Sequence, residues 1–194
     1  MRLAACLLAC SFMASACSVR SPAVDYWTLA ALANAPATLD PAAPAVAIGP
    51  VELPRYLDRP QVLVRLDPSR VEPVGQHRWA DPLAEGFGRA LAANLGRSLG
   101  SGRVSAYPVL PHYEVDYRVH VDVQRFDGRP GGTVVLSARY VILGGLDRQV
   151  LAVEQVETEI AAGEAFASFI GAHSAAVAEL ATHIDANLDA LLEK

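Results

Sequence analysis

Tyr113-Glu114-Val115-Asp116-Tyr117-Arg118-Val119-His120-Val121-Asp122-Val123 is the stretch on which the fold class turns. Odd positions carry Tyr or Val, and even positions carry Glu, Asp, Arg or His. That period of two is the mark of a strand with one buried and one wet face. Downstream, Asp127-Gly128-Arg129-Pro130-Gly131-Gly132 reads as a turn, residues 133–143 as a second strand, Gly144-Gly145-Leu146-Asp147 as another turn, and residues 149–160 as a third strand. Three strands joined by short turns predict an antiparallel meander.

Helical spacing flanks this meander on both sides. Upstream, Asp81 is placed to cap a helix and Pro82 suits its first position. Leu83, Phe87, Leu91, Leu95 and Leu99 then recur every four residues along one face. Gly86, Gly88 and Gly96 weaken that helix. Downstream, residues 164–192 carry a stripe of Phe166, Phe169, Ile170, His173, Val177, Leu180, Ile184, Leu188 and Leu191, predicting a closing helix. Closer to the start, residues 25–29, 61–66 and 70–76 read as strands, and residues 46–53 as a strand broken or bulged at Gly49-Pro50. The order strands, helix, strands, helix predicts an α+β fold. A single domain over residues 25–194 would hold an antiparallel or mixed β-sheet with two main amphipathic helices packed on one face.

Composition allows a core and narrows the partners. Apolar residues make up 52% of the 194-residue chain and aromatics 7%, so the core draws on Ala, Val and Leu. A net charge of −5 with no run of Lys or Arg excludes the electrostatic footprint of nucleic-acid binding, and equally adhesion to anionic lipid by charge alone. Met1-Arg2, an apolar run to Met13 and then Ala14-Ser15-Ala16-Cys17 form an export signal, too short for the roughly 20 residues of a membrane span. All three cysteines, Cys6, Cys10 and Cys17, fall in this region, so cleavage before Cys17 leaves one cysteine and no intrachain disulfide. The stretch resembles a bacterial lipoprotein signal, in which the cysteine is acylated and becomes the new N-terminus, although Ala14 stands where Leu is usual. Ordinary signal cleavage at the same bond, giving a soluble protein with a free Cys17, is the alternative. The resemblance implies a signal peptide over 1–16 and a lipidated N-terminus with tether over 17–24. Ser18 after the cysteine implies sorting to the outer membrane.

Catalytic patterns are weak. Gly96-Arg97-Ser98-Leu99-Gly100 matches G-x-S-x-G, but it lies at the end of a helix, whereas the nucleophile elbow needs a strand-to-helix turn. His77, His112, His120, His173 and His183 form no close ligand pair, and His173, within the apolar stripe, reads as a buried or boundary histidine with a hydrogen-bond partner. Glu114, Asp116 and Asp122 are interleaved with Arg118 and His120, as on ordinary wet sheet faces. No enzyme, metal or cofactor is expected, apart from the covalent acyl and diacylglycerol modification of Cys17. Pro54-Arg55-Tyr56-Leu57-Asp58-Arg59-Pro60-Gln61 packs aromatic and charged groups between two prolines. It reads either as a rigid connector or as a protein-contact loop, with Tyr56, Asp58, Arg59, Gln61 and the more distant Trp79 as contact candidates.

The stretch Gly49-Pro50-Val51-Glu52-Leu53 running into that loop, together with Tyr26-Trp27-Thr28-Leu29, Arg78-Trp79-Ala80-Asp81-Pro82-Leu83, Asn94-Leu95, Tyr117-Arg118-Val119, Phe126-Asp127-Gly128 and His173-Ser174, resembles the ABC-type transport auxiliary lipoproteins of the PqiC type. The resemblance implies a non-enzymatic lipoprotein at the periplasmic face of the outer membrane, serving an MCE/Pqi-type lipid transport system. It would act as adaptor or docking site for an MCE-domain, PqiB-like partner, with homo-oligomerisation at the membrane. A periplasmic carrier holding acyl chains in an internal cavity is the alternative, and an envelope hydrolase using Ser98 is a third, weaker reading.

Overall fold

The computed structural model describes residues 22–32, 34, 38–108 and 114–193. Cys17, the leader, most of the tether and His112 lie outside them. Along the chain run β1 (Asp25–Trp27), β2 (Val46–Glu52), β3 (Gln61–Asp67), β4 (Arg70–Trp79), α1 (Leu83–Ser98), β5 (Val104–Ala106), β6 (Tyr117–Gly128), β7 (Thr133–Gly144), β8 (Val150–Ala161) and α2 (Phe166–Leu192). The fold is α+β with mixed sheets, as the pattern predicts. The strands divide between two sheets, one of three strands in the order β1-β4-β3 and one of five in the order β5-β2-β6-β7-β8. β6, β7 and β8 form the expected meander. β2 lies parallel to both β5 and β6.

Both helices cover one face of the large sheet, α1 against β2 and β5 and α2 against β7 and β8, and they pack on each other. Val119, Val121, Val123, Leu136, Tyr140 and Ile142 from the sheet meet Phe87, Leu91, Leu95, Val177, Leu180, Ile184 and Leu188 from the helices, all at most 1% exposed. The spacing of four in α1 thus marks its buried face. Asp81 does not cap the helix. Pro82 holds the N-cap position with an extended backbone and no side-chain cap. Asp81 instead pairs with Arg89, one of two acids that this arginine reaches.

The segment after β1 is strapped across the helix pair. Leu32 donates its N–H to Asn94 Oδ1 at 2.8 Å, Ala30 donates to Ser174 Oγ at 3.1 Å, and Arg97 donates to the Ala31 carbonyl at 3.0 Å. The small sheet meets the N-terminal end of α2, where the His77 ring stacks on Phe166 with centroids 3.7 Å apart and Trp27 donates its indole N–H to His77 Nδ1.

Two irregularities set the geometry of the large sheet. β2 shifts register between Ile48 and Val51, as Gly49-Pro50 foreshadows. Gly49 has φ +108°, and a Cβ there would stand 2.9 Å from the Cβ of Tyr107. In β6, Val123 faces Ala138 and Arg125 faces Ser137, so Gln124 is an extra residue. A bulge of this kind swaps the faces of everything beyond it. Phe126 therefore turns toward the helices, its ring 5.3 Å from Phe87 and 4.9 Å from His173. Arg125 and Asp127 take the opposite side. Asp127 and Gly128, read from sequence as a turn, are the last residues of this strand.

Gly49→Ala lowers stability by about 1–3 kcal/mol, because the new Cβ combines a disfavoured φ with a clash. Gly86→Ala lies in a helix with open space around its added Cβ and raises stability by about 0.4–1 kcal/mol. Urea denaturation of the two variants beside the parent chain measures both.

Candidate functional site

The site is built where the far end of β6 meets the small sheet. Asp127 is 0% exposed, and an isolated buried carboxylate would be driven toward its neutral form. Three side chains from three elements prevent this. Arg65 in β3 donates from Nε to Oδ1 and from its terminal nitrogen to Oδ2, both at 2.6 Å, a bidentate fork. Tyr56 donates its hydroxyl to Oδ2 at 2.8 Å. Arg125, two residues away on the same face, donates from Nε to Oδ1 at 3.0 Å. Burial pushes the Asp127 pKa upward, but the hydrogen bonds from Arg65, Tyr56 and Arg125 outweigh it and hold the group below its ordinary value. The Tyr56 hydroxyl is pushed up to about 12, chiefly by burial and then by its bond to Asp127. Arg65 is raised, first by its hydrogen bond to Asp127.

The 54–60 loop is consequently a fixed object. Leu57 is buried at 4% exposure, and the turn is closed by Leu57 N–H to the Pro54 carbonyl, Asp58 N–H to the Arg55 carbonyl and Arg59 N–H to the Leu57 carbonyl. Arg55, Asp58 and Arg59 are left exposed at its tip. Of the contact candidates, Asp58 and Arg59 thus face solvent, while Gln61 is half-buried at the start of β3. Tyr56 turns inward as the strut of the loop. Trp79, 7% exposed, packs its ring edge-on to His173 at 5.8 Å and belongs to the core. Asp127 was not foreseen. A lone acid before Gly reads as a turn, and only the partners 62 and 71 residues upstream reveal its burial.

A cleft of about 400 Å³ opens beside this cluster, lined by Arg65, Leu66, Pro68, Arg125, Arg129 and Thr133 among others. Beneath the junction, His173 is 1% exposed, with Nδ1 donating to the Phe169 carbonyl at 2.9 Å. Burial pushes its pKa down to about 4. Ser98 is the last residue of α1 and donates to the Asp185 carboxylate from the second helix, so no elbow forms. Asp116 accepts the Ala45 N–H at 2.7 Å, and Asp122 pairs with Arg139 at 3.3 Å, so the strand acids serve the sheet. Among the described residues, no group of three His, Cys, Asp or Glu side chains is placed to hold a metal ion.

A family model described as "ABC-type transport auxiliary lipoprotein component" matches residues 27–185. No curated protein matches the sequence. The fold resembles the crystal structure of an uncharacterised protein, with TM-score 0.70 and 18% identity over 86% of this chain and 99% of the other. It also resembles a Xanthomonas campestris protein of the DUF330 family, with TM-score 0.64 and 18% identity over 84% of this chain and 93% of the other.

Asp127→Asn leaves two half-buried guanidinium groups without their counter-charge and costs about 3–5 kcal/mol. Tyr56→Phe removes one bond to a charged acceptor and costs about 1.5–3 kcal/mol. Chemical denaturation at neutral pH ranks the two. Histidine in an unfolded chain titrates near 6.5, while burial holds folded His173 down at about 4, so between those values only the unfolded chain takes up a proton. Stability therefore falls as pH drops from about 6.5 to 4, by roughly 3 kcal/mol. The Asp127 contribution has the same sign, because its folded pKa also lies below the unfolded one. It is intact above the unfolded carboxylate pKa and disappears only as pH falls through the lower folded value. Denaturation midpoints of His173→Gln from pH 7 to 4 show a flatter profile than the parent, and an unchanged profile rules His173 out as the source.

Proposed function

Because the chain belongs to the ABC-type transport auxiliary lipoprotein family, we propose that it is a non-enzymatic adaptor, anchored through acylated Cys17 at the periplasmic face of the outer membrane, that docks an MCE-domain, PqiB-like partner through the 54–61 loop. The observation that supports this use of the loop is its bracing. The Tyr56 hydroxyl bond to buried Asp127 and the buried Leu57 hold the backbone, while Arg55, Asp58 and Arg59 project into solvent. A pre-ordered loop loses little conformational entropy when a partner binds, and a charged tip gives orientation. The anchor would gather copies of the domain on one membrane, which favours homo-oligomeric presentation of the loop. Acyl-chain carriage draws no support from the packing. The space between helices and large sheet, where chains would lie, is filled by Phe87, Leu91, Leu136, Tyr140, Leu180 and Ile184, each 0% exposed.

The test uses the exposed tip and spares Tyr56. A full-length double variant, Asp58→Arg with Arg59→Glu, keeps the parent melting temperature and recovers at least tenfold less MCE-domain partner in co-purification from detergent extracts. Recovery equal to the parent's removes the loop from the interface.

A further inference from the structure

The cleft beside Asp127 has a use that the docking loop does not require. Asp127 consumes Nε and one terminal nitrogen of Arg65 and the Nε of Arg125. The other Arg65 terminal nitrogen is spent on the carbonyls of Asp67 and Pro68. Both terminal nitrogens of Arg125 and the whole guanidinium of Arg129 have no protein partner among the described residues, and both residues line the cleft. Arg129 is laid back over the β6–β7 turn because Gly132 has no side chain. A Cβ there would come within 2.7 Å of the Arg129 Cγ and Nε. Thr133 adds a hydroxyl, and Leu66, 45% exposed, adds an apolar wall beside Pro68. Among the described residues, the one carboxylate on the cleft wall is Asp67, whose Oδ1 already accepts the Ser69 N–H at 2.8 Å.

We propose that this cleft binds a phosphate-type oxyanion, held by Arg125 and Arg129 with Arg65 fixed behind them. Two guanidinium groups lining one cleft suit a tetrahedral anion with three or more acceptor oxygens, whereas a carboxylate is satisfied by one fork. The ion pair with Asp127 holds Arg125 in place without exhausting its donors, so the site is organised before ligand arrives. At about 400 Å³ the cleft lies toward the small end of ligand sites, which run to roughly 300–1,000 Å³. It has room for a phosphate and a short substituent along the Leu66–Pro68 wall. Phosphate in this setting comes either as a free anion or as the headgroup of a phospholipid. The chain as a whole is acidic, so recognition is local and must weaken steeply with salt.

Calorimetry of the full-length protein in a neutral detergent at low ionic strength tests this with three probes: inorganic phosphate, dihexanoyl phosphatidylglycerol and dihexanoyl phosphatidylcholine. The parent protein is expected to bind phosphate, with affinity falling as salt rises. Arg129→Gln, an exposed position outside the Asp127 network, is expected to weaken binding at least tenfold at an unchanged melting temperature. Tighter binding of phosphatidylglycerol than of phosphate, lost in the same variant, identifies a lipid headgroup as the source, and equal or weaker binding identifies the free anion. No binding of any probe, or the same affinity in Arg129→Gln, overturns the proposal. The outcome is independent of the 58–59 tip, which leaves this cleft intact.

Discussion

One carboxylate decides how the two sheets of this protein meet. Asp127 lies at the far end of the β6–β7 ladder, and its charge is kept inside the protein because β3 delivers Arg65 and the 54–60 loop delivers Tyr56 to the point where Arg125 already stands. A buried charge of this kind contributes little net stability compared with an apolar replacement, but it discriminates sharply against arrangements that leave it unpaired. Arg65 and Tyr56 reach Asp127 together only when the small sheet and its leading loop are set in this orientation. Hydrophobic contact alone, being non-directional, would tolerate several. The bulge at Gln124 is part of the same device. Without it, the period of two would aim Arg125 and Asp127 into the helical core and Phe126 away from it.

The opposite side of the junction is aromatic. His77 stacks on Phe166 with Trp27 tilted against both where the small sheet meets the start of α2, and Trp79, Phe126 and Phe169 surround His173 just behind. These rings supply the attraction that the Asp127 cluster then orients. The strap over residues 30–32 adds a third tie. Asn94 and Ser174 sit on different helices and both accept backbone N–H groups from the segment that follows β1. The chain that leads in from the N-terminus is thereby fastened across the helix pair before it enters the large sheet.

Much of the architecture was legible because period and burial coincide. The four-residue spacing from Leu83 to Leu95 and the alternation from Tyr117 to Val123 each describe a surface with one dry side. The division into two sheets was not legible. It depends on β1 lying parallel to β4, with Asp25 opposite His77 and Trp27 opposite Trp79, and a three-residue strand is too short to display a period. β5 escaped notice for the same reason. At the site, the unusual composition of residues 54–61 drew attention to the loop but did not show which of its side chains turn inward. Nothing in the sequence around Tyr56 points to Asp127 as its acceptor. Trp79, at the end of a strand whose other residues are mostly half-exposed, gave no sign that it is buried.

The position of β2 has a consequence for how the chain acquires its structure. It lies inside the large sheet with parallel neighbours on both sides, so no hairpin can form it locally. The backbone of Ala45, just before it, bonds to Asp116, 71 residues further on. Pairings of such long reach are slow to close, since the loop entropy must be overcome before the contact is gained. The apolar run around Val46–Ile48 is therefore among the first parts of the domain made and among the last to be sheltered.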